Sequence, residues 1–118
     1  MMKKVFYLKT CGTCTKILNQ FNLTDWELRE IKSKAITEEE LDAMYAKTNS
    51  YEALFSRRST QIKAQNIDMK SLKEDDFRRL LLEHYSFLKR PVFLTDKEIF
   101  VGNEKKNIEN LQHFFGNE

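Results

Sequence analysis

Cysteine, glycine and proline are scarce in this chain: two, three and one among 118 residues. So little glycine and proline excludes collagen-like and low-complexity chains and argues for few irregular loops. No apolar run approaches the roughly 20 residues that a membrane span needs. Near the amino end, Lys3-Lys4 leads into Val5-Phe6-Tyr7-Leu8, and this apolar run stops at Lys9. That is far short of the ~7–15-residue core of a secretory signal. The expectation is a cytoplasmic protein with no membrane association. A dominant charge is lacking as well. Twenty Lys plus Arg oppose eighteen Asp plus Glu, leaving +2 with the signs interspersed. This is not the uniform basic field on which non-specific nucleic-acid binding draws, so no direct nucleic-acid contact is expected. A local anion site is compatible with the same balance. No second C-x-x-C and no H-x-x-H accompanies the cysteines, and His84 and His113 stand far apart.

What is present suits one domain over 1–118. Apolar residues make up 41% and aromatic residues 12%, enough for a real core and against disorder. Lys4 to Leu8 reads as a buried strand, and Ile17, Leu18 and Phe21 follow it at helical spacing. Trp26 to Ile31 alternates apolar and polar, as a second strand does. Thr37-Glu38-Glu39-Glu40 has the form of a capping box ahead of Leu41, Met44 and Tyr45. Tyr51, Leu54 and Phe55 repeat that spacing in a shorter helix that Arg57-Arg58 close. Ser71-Leu72-Lys73-Glu74 reads as another capping box, opening a helix with Phe77, Leu80, Leu81, His84, Tyr85 and Leu88 on one face. Val92-Phe93-Leu94 and Ile99-Phe100-Val101 have hairpin spacing, and Ile108, Leu111, Phe114 and Phe115 close the chain as a helix.

The order is therefore β-α-β, inserted helices over about 37–89, then β-β-α. The first unit implies a parallel pair with a right-handed crossover, and the hairpin adds an antiparallel pair to the same sheet. This is an α/β, thioredoxin-like three-layer plan with a mixed four-stranded sheet. Pro91, the only proline, stands just before the third strand, where a cis Arg90–Pro91 bond is expected.

Both thiols of the chain lie in one C-x-x-C, Cys11 and Cys14, where a strand turns into a helix. Unsatisfied N–H groups and the helix dipole favour an anion there, so Cys11 is expected to ionise below the ~8.5 of a free cysteine. Gly12 allows a ligand close to the backbone, and Thr13 is placed to cap the helix. Cys14, one turn on, can resolve a mixed disulfide. Half of a zinc site and a pair of inert buried cysteines are the competing readings; zinc lacks its other ligands. Arg90 precedes the strand-entry proline and is expected near the first helix, whereas a solvated surface role competes for Arg58.

Strand-Cys11-Gly12-Thr13, the helical insert with Leu54-Phe55-Ser56-Arg57-Arg58-Ser59, and Arg90-Pro91-Val92 before a hairpin resemble the glutaredoxin-coupled arsenate reductase family, which includes Spx-type transcription regulators. The resemblance implies that Cys11 is the nucleophile and that Arg58 and Arg90 hold an oxyanion beside Gly12 and Thr13. The third arginine of the reductases falls at Gly102, and their second position corresponding to Cys14 is commonly serine. The resemblance further implies a thiol oxidoreductase with no bound cofactor or metal. Glutathione or another small thiol would restore it, with glutaredoxin as partner. In the regulators the C-x-x-C is a disulfide switch and the partner is the RNA polymerase α subunit.

Overall fold

The computed structural model describes residues 2–116; residues 1, 117 and 118, the ends of the expected 1–118 domain, lie outside the described residues. In chain order the elements are β1 (Lys3–Tyr7), α1 (Gly12–Leu18), β2 (Glu27–Glu30), α2 (Glu38–Thr48), α3 (Thr60–Ala64), α4 (Glu74–Glu83), β3 (Val92–Thr95), β4 (Ile99–Val101) and α5 (Lys105–Gly116). They fall into two compact units, one of Met1–Lys34 with Arg90–Glu118, the other of Ala35–Lys89.

The first unit is a mixed four-stranded sheet in the order β2-β1-β3-β4. β1 runs parallel to β2, with Val5 opposite Leu28, and antiparallel to β3, with Val5 opposite Phe93. β4 pairs antiparallel with β3, Phe100 opposite Phe93. β1 is an inner strand, and Val5 and Phe6, on its opposite faces, are both fully buried. That is why its sequence is a continuous apolar run rather than an alternation. Val5, Ile17, Trp26, Phe93 and Leu111 form one buried cluster, so α1 and α5 pack on the same sheet face. Phe93 is its hub. Its ring meets Trp26 edge-on at 5.5 Å, Phe115 at 5.9 Å and Phe21 at 6.1 Å. Removing a buried ring of this kind costs the transfer of its surface plus the cavity left behind. Phe93→Ala is expected to lower stability by about 3–5 kcal/mol in urea unfolding, and a loss below about 1 kcal/mol would deny Phe93 that place.

The second unit is helical. α2 opens with the capping box read from its sequence: Glu40 N–H donates to Thr37 Oγ1 at 3.0 Å, and Thr37 N–H donates to Glu40 Oε1 at 3.0 Å. Phe55 stacks on Phe87 at 5.2 Å and meets Phe77 at 5.0 Å, giving this unit its own aromatic core.

Three local expectations are corrected here. Ser71 does not cap α4. A 3-10 turn over Met69–Ser71 and an extended Leu72 intervene, and Lys73 is the N-cap, its N–H held by Asp76 Oδ2 at 2.9 Å. His84 does not continue the helical face. Its backbone is extended (φ −148°, ψ 135°), and its Nδ1 accepts the Ser86 N–H at 3.0 Å, capping the next 3-10 turn. Arg57 and Arg58 do not close a helix. They lie in the turn between the Glu52–Leu54 3-10 turn and Ser59, which is the N-cap of α3.

Candidate active site

β1 ends at Tyr7, and the chain turns tightly into α1, with the Cys11 N–H donating to the Leu8 carbonyl at 3.1 Å. Cys11 is the N-cap of α1, with extended backbone (φ −90°, ψ 105°). An N-cap side chain takes up a donor that the first helical turn leaves over. Here the acceptor is sulfur: Cys14 N–H donates to Cys11 Sγ at 3.4 Å. Thr13 therefore does not cap the helix as expected; it sits two residues inside, and its N–H also favours charge on Cys11. A Cβ at Gly12 would meet nothing within 4 Å, so the backbone at Gly12 is open to a ligand.

The two thiols differ in surroundings. Cys11 is half-buried and Cys14 has no exposed surface; both are reduced. Partial burial works against charge on Cys11. The Cys14 N–H, the Cys14 thiol, the positive charge of Arg90 and the Thr13 N–H outweigh it, holding Cys11 below the ordinary thiol range. Burial dominates at Cys14. The hydrogen bond it gives Cys11 and the charge there add to it, against the Leu8 N–H and Arg90, and its thiol is pushed up to about 12. A depressed thiol also ties charge to folding. Cys11's contribution is in full force above the unfolded thiol's pKa and is lost as pH falls through the lowered folded value.

Arg90 and Pro91 enter from the start of β3, joined by a cis peptide bond. Pro91 is tied back to the hairpin, its carbonyl accepting the Gly102 N–H at 2.9 Å, and Asn107 Nδ2 donates to the Gly102 carbonyl at 2.8 Å. Gly102 has φ 90°, a conformation that side chains resist. The first unit thus gathers Cys11, Gly12, Thr13, Cys14, Arg90 and Pro91. Arg58 belongs to the other unit, exposed in the turn before α3, where its N–H donates to Ser56 Oγ at 3.3 Å. Among the described residues no cluster of His, Cys, Asp and Glu could hold a metal, and no helix is long and apolar enough to cross a membrane.

A model of the ArsC family matches residues 6–111. The chain belongs to the ArsC family. Among its relatives is the global transcriptional regulator Spx 2 of Bacillus anthracis, 26% identical over 113 residues that cover 93% of this chain and 86% of the regulator. The fold matches that of an ArsC family related protein from Bacteroides fragilis, with TM-score 0.75, 23% identity and coverage of 94% and 98% of the two chains. It also matches an arsenate reductase from Vibrio cholerae, with TM-score 0.73, 15% identity and coverage of 96% and 97%. These likenesses establish the thioredoxin-like α/β fold of an ArsC-family chain.

Sequence reasoning missed three contributors to this site. Glu30 reaches the turn before Cys11, the Leu8 N–H favours charge on Cys14, and Asn107 fastens Gly102. The Leu8 and Asn107 contacts carry no motif. Glu30 carries a weak signal, since an acidic residue ends the second strand where the first strand's loop begins.

Proposed function

We propose that this ArsC-family protein is a thiol oxidoreductase in which Cys11 is the nucleophile and Cys14, or an external thiol, resolves the intermediate. The supporting observation is the asymmetry of the pair: a half-buried cysteine with its pKa lowered beside a fully buried one pushed up to about 12. The thiolate is the attacking form, so the site has a fixed entry point.

With a disulfide, Cys11 S⁻ attacks one sulfur, forming a mixed disulfide, and the other sulfur leaves as thiolate. Cys14 gives up its proton to water or to that leaving thiolate and attacks Cys11 Sγ. The Cys11–Cys14 disulfide forms and the second substrate thiolate departs. Two molecules of glutathione, or glutaredoxin, return both sulfurs to thiols and are themselves oxidised. With arsenate, Cys11 S⁻ displaces an arsenic-bound oxygen, which leaves as water after protonation. A thiol then attacks Cys11 Sγ, and the S–As electron pair stays on arsenic as arsenite is released. Arg90 and the Gly12 and Thr13 N–H groups are the proposed anion holders in either case.

Reduced protein is to be assayed against arsenate, a glutathione mixed disulfide and a general disulfide, with Cys11→Ser as control. Turnover of at least one substrate, absent in the control, is the expected result; no turnover of any of them overturns the enzyme reading. The Spx 2 likeness favours a second reading, a redox-sensing regulator that binds the RNA polymerase α subunit. Capture of that subunit by this chain in one Cys11–Cys14 oxidation state and not in the other, without turnover, would establish it.

A further inference from the structure

The turn that delivers Cys11 is held from outside by one carboxylate. Glu30, the last residue of β2, accepts the Lys9 N–H on Oε2 at 2.9 Å. Its other oxygen, Oε1, accepts both the N–H and the hydroxyl of Ser33, each at 2.7 Å. Glu30 therefore joins the residue two before Cys11 to the turn that leaves β2. The backbone ladder supports the same spot, with the Ile31 N–H donating to the Tyr7 carbonyl at 3.0 Å. From Lys9 the turn runs directly into Cys11, whose N–H closes it on the Leu8 carbonyl. The carboxylate itself stays charged. What little burial it has works against ionisation, and the Lys9 N–H, the Ser33 hydroxyl and N–H and the Lys9 charge outweigh it, holding Glu30 below the usual carboxylate range.

We propose that Glu30 is a positioning residue for the Cys11 thiolate: by fixing Lys9 it sets where Sγ lies against the Cys14 and Thr13 N–H groups. The inference rests on Cys11 being the reactive thiol, as proposed above. Glu30's hydrogen bonds go to Lys9 and Ser33, not to the sulfur. Its effect runs through the backbone, and its charge works in the opposite direction, since a nearby anion disfavours a thiolate. The groups that bear on the sulfur directly remain Cys14, Arg90 and the Thr13 N–H.

This opposition of signs supplies the test. The rate of iodoacetamide alkylation of Cys11 is measured from acid to alkaline pH in the wild type, Glu30→Gln and Glu30→Ala, with thermal unfolding recorded for each. Gln keeps an oxygen for the Lys9 N–H but loses the charge and the acceptor for the Ser33 N–H; Ala loses all three. If Glu30 positions the turn, the Ala profile moves to higher pH and the Gln profile does not. An upward move of half a unit lowers the neutral-pH rate by about threefold. If Ala and Gln move down together, Glu30 acts only as a charge and the proposal fails; if neither moves, it fails as well. A general loss of packing would appear as an equal fall in unfolding temperature without the Ala–Gln split in the profile, and this too overturns it. Should the wild-type profile itself rise only in the ordinary thiol range, the reading of Cys11 fails, and that outcome is separate from any result on Glu30.

Discussion

In the wild type, one equivalent of iodoacetamide reacts rapidly at neutral pH, and Cys11→Ser removes that reaction. The expected fall in the fast rate is about a hundredfold or more. Alkylation follows the thiolate, and a thiol with a pKa of about 12 is almost wholly protonated at neutral pH, as Cys14 is here. The substitution also takes away Cys11's own contribution to the high pKa of Cys14, which softens the contrast. Burial, the largest cause, stays, and so does the lack of access to a fully buried sulfur. Cys14→Ser should leave the fast reaction in place. The inflection should stay low, because the serine hydroxyl replaces the Cys14 thiol as a donor to the Cys11 sulfur and the Cys14 N–H is kept. Mass spectrometry of the labelled protein checks both variants. Equal labelling of the two cysteines in the wild type would contradict the asymmetry on which the proposed chemistry stands. The pH profile has a defined sign: the rate rises as the thiol ionises and levels off once it has, with its midpoint below the ordinary thiol range.

The second large effect is expected at Arg90. Arg90→Ala removes a positive charge that stabilises the Cys11 thiolate, so the alkylation midpoint should move up. In the proposed reaction the variant also loses a contact to an anionic substrate. A hydrogen bond to a charged group contributes about 1.5–3 kcal/mol, so binding of the oxyanion or glutathione should weaken by roughly tenfold to a hundredfold. Lys9→Ala is the matched control. Lys9 meets the site through its backbone N–H on Glu30, which alanine keeps. Equal losses in the two variants would remove Arg90 from the site. Arg90→Lys is expected to restore the midpoint more than the binding, because a lysine keeps the charge but not the planar fork that grips an oxyanion.

Legibility in the sequence followed the range of the interactions. β1 and α1 were readable because an apolar run meets a C-x-x-C, and the position of Cys11 followed from that junction. The hairpin and the Thr37 cap were readable for the same reason: each is decided within a handful of residues. Thr13 as cap failed because a sulfur one position before the helix serves that purpose. The Ser71 cap failed because Lys73, a residue type with no acceptor in its side chain, is the true N-cap, with Asp76 supplying half of the box. His84 kept the apolar period while its backbone left the helix, a break the period itself does not carry. Glu30 was out of reach because its partner Lys9 lies 21 residues away in the chain. Such a contact exists only once β1 and β2 are side by side.

Trp26 is the chain's single tryptophan, and it lies edge-on to Phe93 in the half that carries the thiols. The stacked pair Tyr45 and Tyr51 lies in the other half. Indole emission is consequently a built-in optical gauge of the half that holds the reactive sulfur, and selective excitation at the red edge reads its melting apart from that of the helical half.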